Sequence, residues 1–544
     1  MGTSSHHACV YSNQRCSLWQ RGPTVETMCG IVGVFHDAKE STADNGTMGE
    51  RALDMIAHRG PDDVGLRHVG DMAWLGHRRL SIVDVDSGHQ PLGGTRGPSD
   101  WVLVCNGEIY NHQGLREEMP EAFDSRSDSA AALAVLRTGG PAALESLRGM
   151  FALCAATEDG EFVAARDAVG IKPLYWARTE HGTVFASELK AFDPEVQPLV
   201  EVFPPGFWWT PHEGLHRFAE AIPDRVEDQL GTSRDGQHGS DEALEQATFD
   251  AVADSVRRHL MADVEVGVFL SGGLDSGLVA AIAADHCARQ GRTLKTFAVG
   301  TRTSPDLLAA RETAEYLGTD HHEELLDEDA AREALPDVVG SIESFDASLV
   351  RSAVPNWFLS KMTSHHVKAV LTGEGADELF AGYGYYHEQF ASPVELDEEL
   401  RRTIEGLHGL NLQRCDRVTM AHGLEARVPF LDRDVISHAM SLPARLKGLE
   451  SDGMEKVHLR RAFRGWLPEH LLFRRKEQFG TGSGAQGFLD RVGHDIDDAE
   501  FSAETVAPGA PEIRSKEELV YYRMFRSALP EVRPDAALTR FAVA

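Results

Sequence analysis

No Gly-Lys-Ser or Gly-Lys-Thr occurs anywhere in the 544-residue sequence, which excludes a phosphate loop of the Walker type. Cysteine is sparse. The seven cysteines are scattered, odd in number and form no Cys-x-x-Cys pair, which argues against a disulfide framework or structural zinc and fits a reducing compartment. No apolar run approaches the ~20 residues needed to cross a bilayer. Basic residues are in deficit, 53 against 85 acidic, for a net charge of −32. Such a surface repels phosphate backbones and anionic lipid, which argues against nucleic-acid and membrane partners. These absences place the protein in the cytoplasm. What is present, 42% hydrophobic and 25% charged residues, is ordinary for a globular chain of two to four domains.

Residues 1–28 are polar and unpatterned, and read as a disordered leader or a mis-assigned start. From Cys29 onward, short apolar runs separated by Gly, Asn, Asp and Pro predict strands at Ile31–Phe35, Met72–Leu75, Trp101–Cys105, Phe151–Ala155, Phe162–Ala165 and Val184–Ala186. Helical patterns lie at Met48–Ala57 and Ser129–Arg137. The Gly-, Pro- and Ser-containing stretch Pro211–Ser240 reads as a linker. Beyond it, helices (Ala243–Met261, Leu278–Arg289, Asp306–Leu317) alternate with strands (Val264–Leu270, Thr293–Val299, Ala369–Leu371). That alternation predicts a parallel sheet covered on both faces, followed after Leu396 by a mainly helical part.

Two constellations carry chemistry. The first is Met28-Cys29-Gly30 directly before an apolar strand. If Met28 is the initiator, its removal leaves Cys29 first in the chain, with its own α-amine as general base for the thiol. A lone cysteine at a strand start, taken by itself, reads first as a small buried hydrophobe. Further along come His58-Arg59-Gly60-Pro61-Asp62, His77-Arg78-Arg79-Leu80-Ser81, Cys105-Asn106-Gly107-Glu108-Ile109-Tyr110-Asn111 and Ser127-Asp128. Taken singly, Arg79 and Asp128 fit a surface ion pair and Asn106-Gly107 a hairpin turn. Together with Cys29, these segments resemble the glutaminase domain of class II glutamine amidotransferases, an α+β N-terminal-nucleophile fold. The resemblance implies Cys29 as nucleophile and Asn106 (side chain) with Gly107 (backbone N–H) as oxyanion hole. It implies Arg79 as clamp for the glutamine α-carboxylate, and Glu108 and Asp128 as acceptors for its α-ammonium.

The second constellation follows Val264–Leu270: Ser271-Gly272-Gly273-Leu274-Asp275-Ser276, a Ser/Gly-rich turn opening a helix, where free N–H groups and the positive helix end cradle phosphate. Read alone it also fits an ordinary strand-to-helix turn. It resembles the loop of ATP pyrophosphatases. A second loop, Thr372-Gly373-Glu374-Gly375-Ala376-Asp377, follows another strand end. With Ser304-Pro305-Asp306, Gly423–Asp432, Glu455-Lys456 and Lys476-Glu477-Gln478-Phe479, nearly the whole chain resembles the glutamine-hydrolysing asparagine synthetase family.

That resemblance implies a class II amidotransferase domain at 29–215 and a synthetase domain at 241–530. It puts ATP at Leu270, Ser271, Gly272, Gly273, Asp275, Ser276, Val299, Gly373 and Glu374, and Mg²⁺ at Asp275 and Asp377. Glu374 becomes the base for ammonia attack, Lys476 the contact to phosphates and acyl-adenylate, and Ser352 a neighbour of the carboxylate substrate. Glutamine, aspartate and ATP are the implied substrates, ATP and Mg²⁺ the cofactors, and a homodimer the implied assembly. Ala376 and Ala381 depart from the family pattern, as does the rearranged run Asp346–Pro355. Amidation of a different carboxylic acid is therefore the alternative.

Overall fold

The computed structural model describes residues 29–37, 42–60, 62–223, 240–390, 392–448, 453–475, 484, 486–489, 491–505 and 511–541. The first half is built from two antiparallel six-stranded sheets packed face to face. One runs β10 (Val200–Val202), β8 (Tyr175–Thr179), β9 (Gly182–Ala186), β1 (Gly30–His36), β3 (Ala73–Arg79), β2 (Asp63–Val69). The other runs β12 (Gly214–Arg217), β11 (Phe207–Thr210), β7 (Phe162–Arg166), β6 (Gly149–Ala156), β5 (Val102–Ile109), β4 (Leu92–Gly93). Strand β1 is buried along its whole length because both of its faces are covered. Ile31 and Phe35 enter the core between the sheets, while Val32 and Val34 join the outer cluster that includes Leu53 and Ile56. Aromatic rings fill the middle: Phe162, Phe185 and Trp209 meet with centroids 5.4–6.2 Å apart, a spacing that suits edge and offset contacts.

The second half holds a five-stranded parallel sheet in the order β15 (Asp320–Leu325), β14 (Lys295–Gly300), β13 (Val266–Phe269), β16 (Ala369–Leu371), β17 (Glu425–Arg427). The chain lays β14 and β15 on one side of β13 and then returns to add β16 and β17 on the other. The boundary between β13 and β16 is therefore the switch point of the sheet, where open α/β sheets leave a crevice for ligand. Helix amino termini are capped by side chains: Ser304 accepts from Leu307 N, and Asp346 from Leu349 N. Each such cap is worth about 1 kcal/mol. Helices dominate after residue 392.

The fold class is the expected one, an α+β N-terminal-nucleophile domain joined to an α/β parallel-sheet domain with a helical C-terminal part. Several elements differ from expectation. Gly214–Arg217, inside the segment read as linker, is the edge strand β12. Strands β2, β4, β8, β10, β11, β15 and β17 likewise lie outside the expected strand runs. β15 (Asp-His-His-Glu-Glu-Leu) is an edge strand whose charges make its sequence look unlike a strand. β17 has three residues, two of them charged, and is nonetheless buried against the first half. The helix expected from Leu278 begins at Leu274, directly on the Ser/Gly-rich turn.

Candidate functional site

Cys29 stands just ahead of β1, and its thiol donates to the Leu80 carbonyl at 3.7 Å. It packs beside Leu80 and Ile82 and against Ala369 and Met420 of the second half. Burial pushes the thiol up to about 12, so it does not ionise unaided at neutral pH. Across the interior, β5 presents Asn106-Gly107-Glu108. Asn106 is fully buried, yet neither Oδ1 nor Nδ2 has a partner. Gly107 has φ 141°, and a Cβ there would lie 1.9 Å from the Met150 carbonyl oxygen, so only glycine fits this strand position. Asp128 accepts from Ile109 N at 2.7 Å, and burial raises its carboxyl to about 6. The Arg79 guanidinium donates to the carbonyls of Val83, Asp84 and Val85 at 3.4, 2.7 and 3.2 Å. Among the described residues no carboxylate pairs with Arg79, so its charge stays available to an anion.

Glu108 brings a surprise. One oxygen is 3.0 Å from Arg427 Nη2, across the boundary between the two halves, and the other is buried without a partner. Burial pushes this carboxyl well above the usual range, against the pull of Arg427. Arg427 also reaches Glu425 at 2.7 Å, and Glu425 meets Lys172 at 3.2 Å. A second set of buried ions lies alongside. Arg59 donates to the Cys29 carbonyl at 3.1 Å, to Glu188 at 2.6 Å, and with both terminal nitrogens to Asp416 at 2.9 and 3.1 Å.

The second site sits at the switch point. Gly272 (φ 74°) turns the chain where a Cβ would lie 2.2 Å from the Asp306 carbonyl. Ser276 Oγ accepts from Ser271 N at 3.1 Å and closes the cradle at the start of the helix Leu274–Arg289. Leu270, directly after β13, and Val299, in β14, were expected at the ATP site, but both are buried and neither lines its cavity. Gly373, on the loop after β16, approaches so closely that a Cβ would be 2.8 Å from Asp275 Cβ. Both loops line one cavity of about 1000 Å³, which also takes in Arg351 and Ser352. Inside it, Lys456 Nζ lies 2.6 Å from Asp275 and 2.5 Å from Asp377, and these two carboxylates hold its ammonium charged. Glu374 is ion-paired with Arg414, and burial raises its carboxyl. Two carboxylates converging on one cationic point beside a phosphate cradle fit Mg²⁺, an oxygen-seeking ion usually carried by one or two carboxylates plus phosphates.

A family model described as asparagine synthase matches residues 248–393 and 388–540, and one described as a glutamine amidotransferase domain matches residues 28–206. The chain is 40% identical over 483 residues to a glutamine-hydrolysing asparagine synthetase of Triphysaria versicolor, covering 84% of this chain and 78% of that one. It is 37% identical over 540 residues to the glutamine-hydrolysing asparagine synthetase B of Escherichia coli (strain K12), covering 94% and 92%. The chain belongs to the asparagine synthase family.

In this asparagine synthase family member Cys29 feels the charges of Glu108 and Arg79, Glu108 feels that of Asp128, and Asn106 and Gly107 share strand β5 with Glu108. Ser271, Gly272, Gly273, Asp275, Ser276, Gly373, Glu374 and Asp377 line the cavity at the switch point. Lys476 lies outside the described residues. Ser352 reaches the cavity wall, but its hydroxyl donates back to the Ser348 and Leu349 carbonyls at 3.1 and 3.0 Å. Lys456, Arg414, Arg59, Asp416 and Arg427 have no role that the sequence alone assigns. The only available signal was that Arg59, Lys456 and Arg427 fall inside the motif strings. Of the departures, Ala376 is fully buried at the start of a short helix. Ala381 takes φ 52°, where glycine is at ease and alanine is strained by about 1–2 kcal/mol.

Proposed function

We propose that this protein makes asparagine by hydrolysing glutamine in its first domain and amidating aspartate with ATP in its second. The observation that carries the reading is the pairing of two sets of groups across a buried interface: a cysteine beside Glu108 and Arg79, with the orphaned amide of Asn106 on the same strand as Glu108, and a phosphate cradle at a sheet switch point. Cys29 attacks the glutamine amide carbon. Because burial opposes thiolate formation, a base must stand next to it. The α-amine of Cys29 supplies that base once Cys29 leads the chain. Nδ2 of Asn106 and the Gly107 N–H receive the oxyanion. Arg79 holds the substrate carboxylate, and Glu108 with Asp128 its ammonium.

Ammonia then leaves along the apolar cluster of Leu80, Ile82, Ala369 and Met420, which offers no proton donor. In the second pocket the Ser271–Ser276 cradle and Lys456 orient the ATP phosphates, with Lys476 as a further phosphate contact. The aspartate β-carboxylate displaces pyrophosphate to give an acyl-adenylate. Asp275 and Asp377 would hold Mg²⁺, which neutralises phosphate charge as it builds on the leaving group. Ammonia adds to the acyl carbon, the carbon–oxygen bond to AMP breaks, and Glu374 takes the proton released from nitrogen. A homodimer and a cytoplasmic location belong to the same reading, and the exposed Val64 and Leu66 on edge strand β2 offer such a dimer a face.

The test supplies amide-¹⁵N glutamine, ATP–Mg²⁺ and aspartate, and reads products by mass spectrometry. Labelled asparagine with AMP and pyrophosphate is the expected result. Glutamate release without asparagine would sink aspartate as acceptor.

A further inference from the structure

The glutaminase pocket is finished by residues of the other domain. Arg59 is fully buried and spends its guanidinium on three acceptors: the Cys29 carbonyl, Glu188, and the carboxylate of Asp416 in a bidentate fork. Asp416 lies 357 residues along the chain, on the helix Asn411–Met420 of the synthetase domain. Two residues earlier on that helix, Arg414 grips Glu374. Positions two apart on an α-helix point about 200° from one another. Arg414 therefore faces the synthetase cavity and Asp416 faces the glutaminase, on one rigid element. The helix is also pinned from behind: Arg417 meets Glu343 at 3.3 Å, and Glu343 accepts from Leu189 N and Lys190 N, each at 2.9 Å. Those amides directly follow Glu188, the other anchor of Arg59.

We propose that Asp416 is a positioning residue for glutamine hydrolysis, and that the helix carrying it makes the reactivity of Cys29 depend on what engages Glu374. The proposal rests on the two-site reading above. In the free synthetase pocket Arg414 is committed to Glu374. When Glu374 turns to substrate, or takes a proton from the incoming ammonia, Arg414 loses that partner and the helix resettles. Asp416 moves with it, and so does the fork that holds Arg59 against the Cys29 carbonyl. Because Cys29 supplies both nucleophile and α-amine, a small rotation of its backbone changes the alignment of both at once. A charge-assisted contact of this kind is worth about 1.5–3 kcal/mol. Converted at 1.4 kcal/mol per decade, its loss reads as roughly a 10- to 100-fold change in rate.

The experiment compares native protein with Asp416→Asn and Asp416→Glu in three assays. These are glutamate release with and without ATP–Mg²⁺ and aspartate, asparagine formation from ammonium, ATP and aspartate, and alkylation of Cys29 by a glutamine-analogue chloroketone followed by intact mass. In native protein, ATP–Mg²⁺ with aspartate should shift both glutamate release and Cys29 alkylation several-fold. D416N should slow both by 10- to 100-fold, mainly in kcat, and lose the response, while ammonium-dependent synthesis stays within about threefold. D416E, which keeps the charge, should recover part of the rate. Parallel loss of ammonium-dependent synthesis in D416N would show a merely structural role and overturn the proposal. Native glutamate release and alkylation indifferent to ATP and aspartate would overturn it without any variant. Failure of native protein to make asparagine from ammonium would instead remove the two-site reading, an outcome distinct from either of these.

Discussion

Asn106 is a fully buried amide whose two polar atoms meet no protein partner. A buried polar group left unpaired costs about 1–3 kcal/mol. The fold therefore carries this side chain at a loss, and its worth must lie with a ligand that pairs it. Asn106→Ala lets the two effects be measured apart. Losing one donor to a developing oxyanion costs about 2.7–4 kcal/mol, or roughly 10²–10³ in kcat. For the fold, relief of the unpaired amide works against the small cavity left behind, at about 24 cal/mol per Å³ of residual void. The net change in unfolding free energy should stay within about 1–2 kcal/mol. Steady-state glutamate release, ammonium-dependent asparagine formation and urea unfolding of the same preparation check all three quantities. The expected pattern is glutamate release down by about 10²–10³, with synthesis from ammonium and stability both near native. A fall of less than about tenfold in glutamate release, or an equal fall in synthesis from ammonium, refutes the assignment of Asn106 to the oxyanion.

Asp128, raised to about 6 by burial among Glu425, Glu108 and Arg427, must ionise to accept an ammonium. kcat/KM for glutamine should then fall about tenfold per unit below pH 6, with no matching inflection in synthesis from ammonium, and Asp128→Asn should flatten the profile. Because its folded pKa lies above the unfolded value, the same group favours the fold at low pH. That contribution is lost as pH rises from about 4 through 6, which acid-range melts of Asp128→Asn and native protein will show. Lys456→Gln leaves Asp275 and Asp377 facing one another without their shared ammonium. Removing one partner of such a buried set costs about 3 kcal/mol, and asparagine formation should collapse from either nitrogen source while glutamate release survives. Gly382→Ala would set a Cβ 2.0 Å from Asp377 Oδ1 and 2.1 Å from Lys456 Cε. It should reduce synthesis at least tenfold and spare glutamate release, read in the same two assays.

The apolar strands could be read from sequence because their periodicity is local: Gly30–His36, Phe162–Arg166 and Ala369–Leu371 are each compact runs whose burial follows from their own residues. The Ser271–Ser276 turn was legible for the same reason, since strand, glycines and helix start lie within one short stretch. Strand β15 was not, because it is an edge strand whose charges pair with one another and with nearby Arg311. Strand β17 was not, because its charged residues find neutralising partners only after the chain has folded. Glu425 meets Lys172 across 253 residues, and Arg59 meets Asp416 across 357. Sequence rules place Asp, Glu, Lys and Arg outside unless paired, and pairing at such range leaves no local mark.

The same ions bear on why the two domains are joined as they are. Taking charges out of water costs several kcal/mol each, and their mutual attraction repays this only with good geometry, so a hydrophobic interface of equal area would hold the domains at least as firmly. What an apolar interface does not supply is orientation. The fork between Arg59 and Asp416, and the Arg427 contact to Glu108, are satisfied in one relative placement of the domains and in few others. That placement sets Cys29 against Ala369 and Met420, at the entrance to the second domain. Replacing Arg59 and Asp416 together by methionine and leucine therefore tests orientation against adhesion. Stability should fall by no more than about 3 kcal/mol, because Glu188, which loses Arg59, keeps His58 and Lys190 at 3.0 and 3.1 Å, and Arg417, which loses Asp416, keeps Glu343 at 3.3 Å. Labelled nitrogen should at the same time be lost between glutamine and asparagine, with glutamate formed in excess over asparagine. A double variant that stays folded and transfers nitrogen as tightly as native protein would show that the ions hold nothing in register.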